Sequence, residues 1–154
     1  MGGTSGDFSK FDATQQDPIV IPSGLSQNRL HHPILGMTLG PSYFDSFQNF
    51  PGQRWTFQMQ FASSTDSLST NALDQAKAAI SSIGLDNLAS LELGNEPNEY
   101  INFGLRPKTF VETDYVRQSL AYIKELRTAI SGLPQDVFQA LALATGNNFA
   151  KWNV

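Results

Sequence analysis

Hydrophobic and polar positions alternate most regularly over Trp55-Thr56-Phe57-Gln58-Met59-Gln60-Phe61, the period-two signature of a β-strand. The period then changes: Leu73, Ala76, Ala79, Ile80 and Ile83 recur at helical spacing, and Gly84 stands where a helix stop belongs. Leu88-Ala89-Ser90-Leu91-Glu92-Leu93-Gly94 is a short apolar run that enters Asn95-Glu96-Pro97. A proline cannot continue a central ladder, so the strand's carboxyl end falls there and Glu96 sits on a strand tip. A second helix is predicted between Asp114 and Ile130, with Val116, Leu120, Ile123, Leu126 and Ile130 on one face. Thr113 or Asp114 is its N-cap, and Gly132 and Pro134 follow it. Val137 to Ala144 reads as a buried strand ending at Thr145-Gly146-Asn147.

Upstream the pattern is weaker. Met1 to Asn28 is rich in Gly, Ser, Asp, Gln and Pro and reads as loop, with Pro18-Ile19-Val20-Ile21-Pro22 as a short extended piece. Ile34 to Pro41 predicts a strand end, followed by one or two helical turns carrying Tyr43, Phe44, Phe47 and Phe50. The alternation of apolar strands with helices calls for an α/β fold with a parallel sheet and outer helices. A closed (β/α)8 barrel needs about 250 residues, so a chain of 154 residues holds only part of one. An open doubly wound sheet fits the length better, and the residues at the strand ends must decide between the two.

Composition narrows the partners. The net charge of −4 argues against nucleic acid and anionic membrane surfaces, which need an excess of Lys and Arg. The chain lacks cysteine, which removes disulfides and thiolate metal sites without assigning a compartment. No segment is long and apolar enough to span a bilayer. Met1 runs directly into Gly2-Gly3-Thr4-Ser5-Gly6-Asp7 with no leader-like stretch, so the N-terminus is read as a truncation point.

Barrel enzymes place catalytic groups at the carboxyl ends of strands, the position of Gly94-Asn95-Glu96-Pro97. Glycoside hydrolysis needs a carboxylic acid to protonate the leaving oxygen and a second carboxylate as nucleophile or base. Glu96 suits the first role, and the Asn95 amide suits a sugar hydroxyl. On these residues alone, a turn with a solvated glutamate stays open as the alternative. Glu92 lies on the same strand face but about 13 Å along it, too far for a retaining pair at ~5–5.5 Å or an inverting pair at ~6.5–9.5 Å. It is expected deep in the barrel, paired with a basic or polar group. Glu99 is expected on a solvated face, and Asp7 and Asp45 as turn or cap residues.

Leu91-Glu92-Leu93-Gly94-Asn95-Glu96-Pro97-Asn98-Glu99-Tyr100 resembles the acid/base strand of glycoside hydrolase family 79, the β-glucuronidase and heparanase-like enzymes, in their fungal form. Gly2-Gly3-Thr4-Ser5-Gly6-Asp7, Leu39 to Phe47 with Pro51 to Trp55, and Thr113-Asp114-Tyr115-Val116 resemble the same family in the same order, so the likeness spans nearly the whole chain. The resemblance implies that residues 1–154 are a partial (β/α)8-barrel catalytic domain, from the end of the second strand through the fifth and truncated at both ends. It implies a retaining mechanism with Glu96 as general acid and base, Asn95 on the substrate, and Gly3 and Thr4 near the cleaved sugar. The nucleophile is then a glutamate on a later strand, expected after Val154, and the isolated chain is expected to be inactive. The implied substrate is a terminal glucuronic acid or its 4-O-methyl derivative on a glycan or glycoside. No cofactor is implied, and the full-length family is extracellular.

Weaker signals receive simpler readings. Gly2 to Gly6 lacks the Gly-Lys-Ser/Thr of a phosphate cradle, and His31-His32 are adjacent histidines in a polar loop without an acidic partner. The aromatics from Tyr43 to Phe57 are mostly core, with a sugar-stacking platform as the alternative, and Trp152-Asn153 is a candidate for approaching the pocket. The rival function is a non-catalytic carbohydrate-binding or interaction protein derived from a shortened hydrolase. Open barrel edges predict self-association of the chain alone.

Overall fold

The computed structural model describes residues 3–21, 26–27, 33–34, 36–62, 67–139 and 152. A 3-10 turn at Thr4–Phe8 leads into β1 (Lys10–Phe11), and the short strands β2 (Ile19–Val20), β3 (Ser26–Gln27), β4 (Pro33–Ile34) and β5 (Thr38–Leu39) follow. β5 enters α1 (Pro41–Asp45), with Pro41 in the first turn, where its missing N–H is not needed. A 3-10 turn at Ser46–Asn49 continues α1. The remaining elements are β6 (Trp55–Met59), α2 (Thr70–Ile83), β7 (Leu88–Leu93), α3 (Glu112–Ala129) and β8 (Phe138–Gln139).

The expected order from β6 to β8 is found. At α2 the Ser69 hydroxyl accepts from the Ala72 N–H at 3.1 Å, and Gly84, at φ 77°, takes the backbone turn that ends the helix. Two expectations for α3 are corrected. The helix begins at Glu112, because Asp114 lies inside its first turn, where its carboxylate accepts from the Val111 N–H at 3.2 Å. Its core face is also shifted: Leu126 is buried and Ile123 and Ile130 pack against the core as expected, but Gln118 and Tyr122 are buried too, whereas Val116 is 50% and Leu120 62% exposed. Tyr122 packs on Phe61 just past β6, at 4.7 Å between ring centroids, and this contact turns α3 so that its aromatic and amide side chains face the sheet.

β6, β7 and β8 form a parallel sheet in that order, with Phe57 opposite Leu91, Met59 opposite Leu93, and Gln58, Glu92 and Gln139 in one row. Alternation divides the faces: Phe57, Met59, Leu91 and Leu93 lie on one, and Thr56, Gln58, Ser90 and Glu92 on the other. On the polar face a hydrogen-bonded row crosses all three strands, from Thr56 Oγ1 to Ser90 Oγ at 2.8 Å and on to Gln139 Oε1 at 2.7 Å. Glu92 is half-buried in this face, and no hydrogen bond or ion pair reaches its carboxylate among the described residues, so the partner expected for it is not found there.

The expected parallel sheet is found in β6, β7 and β8, whereas the upstream strands are mixed. β1 pairs parallel with β5, but β2 pairs antiparallel with it, and β3 and β4 are antiparallel to each other. A parallel return requires a crossover of a dozen or more residues; the connections from β1 to β2 and from β3 to β4 are too short for one. The described strands form three separate small sheets and do not close a barrel. The strand expected from Val137 to Ala144 is seen at Phe138–Gln139, and its continuation lies outside the described residues, as do Leu35, Pro22, His31-His32 and Asn153.

The N-terminal segment contributes more core than its composition suggests. Asn71 of α2 accepts from the Phe11 N–H at 2.9 Å and donates to the Phe11 carbonyl at 2.7 Å. Gln75 donates to Ser9 Oγ at 2.8 Å, and Gln60 donates to Asn71 at 2.8 Å. This buried polar network ties β1, α2 and the end of β6 together, so that the Thr4–Phe8 turn is held against the carboxyl end of β6.

Candidate active site

Glu96 lies where the sequence places it, immediately beyond the carboxyl end of β7. Its backbone is left-handed, with φ 46° and ψ 57°, and it is the one positive-φ residue other than glycine among the described residues. Such a conformation costs of order 1 kcal/mol or more and persists only where its surroundings enforce it. The Glu96 carbonyl accepts from the Glu99 N–H at 2.8 Å, starting the 3-10 turn Pro97–Glu99. Glu96 and Asn95 are both half-buried at the strand tip.

The restraint comes from three sides. Gly94 has φ 85° and is packed so closely that an added Cβ would collide with the Tyr100 hydroxyl and lie 2.7 Å from Phe61 Cβ and 3.0 Å from an Asp7 oxygen. The Gly94 N–H donates to the Met59 carbonyl at 3.1 Å, extending the β6–β7 ladder into the turn. The Asn95 N–H then points to Asp7 Oδ2 at 3.1 Å and to the Tyr100 hydroxyl at 3.3 Å. Tyr100 in turn donates to Asp7 Oδ1 at 2.9 Å. The structure therefore brings Gly3, in the N-terminal turn, and the Asn95-Glu96 pair into one assembly joined through Asp7. Gly3 accepts from Gln58 Nε2 at 3.2 Å, and Thr4 opens the same turn, although its side chain lies outside the described residues.

Asp7 lies in the Thr4–Phe8 turn, as expected of a turn residue, and is fully buried there. Burial raises its pKa to about 7, against the opposing effects of the Tyr100 hydroxyl, the Asn95 and Phe61 amides and the Arg106 charge. Burial, and then the neighbouring Asp7 carboxyl, raise the Tyr100 phenol well above its ordinary range. Burial likewise pushes Tyr115 up to about 12. Glu99 is corrected: it is buried and accepts from Asn98 and Asn102, which anchors the turn behind Glu96. Asp45 ends α1 on the surface, as expected of a turn residue.

Arg106 backs this assembly, packed on Phe61, Tyr100 and Phe110. Its guanidinium donates to the carbonyls of Phe61 (3.1 Å), Ala62 (3.0 Å) and Leu105 (3.0 Å) and to Gln118 (3.4 Å). It also lies about 5.5 Å from the ring centroids of Phe61, Tyr100 and Phe110. Trp152 packs against Phe110 and Tyr115 as buried core on the far side of these rings. Sequence reasoning missed Asp7, Tyr100 and Arg106 as site-forming groups. The one sequence signal for them was the recurrence of Asp7 and Tyr100 inside the two motifs that resemble one family. Among the described residues no group of three His, Asp or Glu side chains is placed to hold a metal ion, and no helix is long and apolar enough to cross a membrane.

A parallel α/β sheet with an acidic residue enforced at a strand's carboxyl end is the site architecture that barrel enzymes use. No family model matches the chain. It is 25% identical to a β-glucuronidase of Aspergillus niger over 123 residues, which is 78% of this chain and 22% of that protein. Its fold matches a crystal structure of a 4-O-α-L-rhamnosyl-β-D-glucuronidase from Fusarium oxysporum 12S in a Rha-GlcA complex, with a TM-score of 0.66 at 20% identity, covering 90% of this chain and 29% of the other. The chain is thus similar to glucuronidases, which are glycoside hydrolases, and it spans between a fifth and a third of the length of these relatives.

Proposed function

We propose that the chain is the acid/base part of a retaining β-glucuronidase of family 79 type, built on a (β/α)8 barrel. Glu96 protonates the glycosidic oxygen and then activates the water that releases the glycosyl-enzyme. Asn95 contacts the bound sugar, and Gly3 and Thr4 line the position of the sugar that is cleaved. The substrate class is a terminal glucuronic acid or 4-O-methylglucuronic acid on a glycan or glycoside, in an extracellular setting. No cofactor takes part. The observation that carries this reading is the enforced left-handed backbone of Glu96 at the tip of β7, locked to the Gly3–Asp7 turn. Strain of this kind collects where a side chain must be aimed.

Glu92, about 13 Å back along the same strand, does not suit the second carboxylate, so on this reading the nucleophile is a glutamate on a later barrel strand. The 154-residue chain alone then releases no aglycone from a chromogenic glucuronide. Release by that chain, lost in Glu96→Gln, counts against this division of labour. In the intact protein Glu96→Gln should slow hydrolysis by about 10²–10⁴-fold, the usual contribution of a general acid. Azide should then restore turnover of an aryl glucuronide with a good leaving group. Unchanged turnover sinks the assignment, and glucuronide binding without turnover in the wild type would favour a sugar-binding protein instead.

A further inference from the structure

We propose that Asp7 is the positioning residue for Glu96: its two carboxyl oxygens bridge the Asn95 amide and the Tyr100 hydroxyl and so hold the Gly94–Glu96 turn in its left-handed shape. The inference rests on the hydrolase reading only for the role of Glu96, since the geometry stands by itself. Asp7 Oδ2 lies 3.1 Å from the Asn95 nitrogen, and Oδ1 lies 2.9 Å from the Tyr100 oxygen. These bonds cross from residue 7 to residues 95 and 100, so they are tertiary contacts and not products of the local turn. The Asn95 N–H also points to the Tyr100 oxygen at 3.3 Å, itself oriented by Asp7.

A carboxylate accepts both bonds, whereas a carboxylic acid has one oxygen that donates. When Asp7 takes up a proton, one of the two links must be lost or reversed, and the turn carrying Glu96 is released on one side. The groups that face Asp7 are the Tyr100 hydroxyl from the turn after β7, the Arg106 guanidinium from the loop before α3, and Tyr115 from α3. Lys10 of β1 lines the same cleft of about 190 Å³, with Phe8, Gln60, Ala62 and Leu105. The only cations among them are Arg106 and Lys10, and the protein's interior supplies the rest. Burial accordingly raises the Asp7 pKa to about 7, so its protonation state changes across neutral pH.

The test uses Asp7→Asn, which keeps the shape but offers one acceptor oxygen instead of two, with Tyr100→Phe as a second variant that removes the hydroxyl link and leaves the carboxyl. Amide hydrogen exchange over residues 94–98 of the intact protein should quicken by about tenfold in Asp7→Asn, the worth of one buried hydrogen bond. In the wild type the protection of these amides, taken relative to their intrinsic base-catalysed exchange, should change across neutral pH, and in Asp7→Asn it should lose this pH dependence. For hydrolysis of an aryl glucuronide, kcat should fall by about tenfold or more while KM stays within about threefold, and one ionisation should vanish from the pH profile. Unchanged exchange and an unchanged pH profile in both variants overturn the inference. Because exchange needs no turnover, it judges Asp7 even if Glu96→Gln shows that the chain is not a hydrolase.

Discussion

Two aromatic clusters flank β6, and they differ in what they hold. At its amino end Phe44, Phe47, Trp55 and Phe57 pack in tilted and edge-to-face pairs at 4.8–6.4 Å, with Phe11 and Tyr43 around them and, among the described residues, no cation over the rings. At its carboxyl end Phe61, Tyr100, Phe110, Tyr115 and Tyr122 surround a buried guanidinium and a buried carboxyl. The first cluster is an ordinary hydrophobic core. The second uses the same residue types as a low-dielectric wall around hydrogen bonds, and Glu96 stands at its edge. Position along the strand, rather than residue type, separates packing from chemistry, as expected where sites gather at strand carboxyl ends.

The sharpest way to break the comparison is to remove the centre of each cluster. Arg106→Met leaves the carbonyls of Phe61, Ala62 and Leu105 without their donor, at roughly 1–3 kcal/mol each, and so should cost roughly 5 kcal/mol or more. Phe44→Ala empties a fully buried ring position and should cost roughly 3–5 kcal/mol. Urea unfolding ranks them, and equal losses would show that the carboxyl-end cluster is held by ring packing alone.

A second measure separates the clusters by their response to pH. Asp7 has a folded pKa of about 7 against 3.8 for the ordinary carboxyl. Between these values the folded state binds more protons than the unfolded state, so this group's contribution is full below about pH 4 and is lost as pH rises to about 7. The loss is on the order of 4 kcal/mol. Melting measured over that window should fall with rising pH in the wild type and in Phe44→Leu and should flatten in Asp7→Asn. A wild-type stability that rises with pH through this range would mean that Asp7 is ionised in the fold.

Much of this was legible in the sequence, and the remainder was not for identifiable reasons. β6, α2 and β7 follow from periodicity, because each buries one side against neighbours close in the chain. The strand-tip position of Glu96 was legible because a proline fixes where β7 ends. Asp7 was not, since its partners Asn95 and Tyr100 lie 88 and 93 residues away and nothing local distinguishes a buried aspartate from one in a solvated turn. Glu99 misled although its partners Asn98 and Asn102 are local, because nothing in the residue types marks the Pro97–Glu99 turn as buried. β1 was hidden because its backbone is satisfied by Asn71, a side chain from α2.

The misread face of α3 supplies the smallest effect. Periodicity chose Val116, Leu120, Ile123, Leu126 and Ile130; the helix keeps Ile123, Leu126 and Ile130 against the core but also turns Gln118 and Tyr122 inward and leaves Leu120 62% exposed, beside Glu112, Thr113, Val116 and Arg117 along a shallow groove. An apolar pattern cannot by itself distinguish a stripe that faces this sheet from one that faces some other surface. Leu126→Ala should therefore cost roughly 2–5 kcal/mol, whereas Leu120→Gln should change stability by no more than about 0.5 kcal/mol. If the exposed stripe drives the self-association expected of the isolated chain, Leu120→Gln should also lower its apparent mass in sedimentation without altering the melt. A Leu120→Gln variant as unstable as Leu126→Ala would place residue 120 in the core and restore the face that periodicity chose.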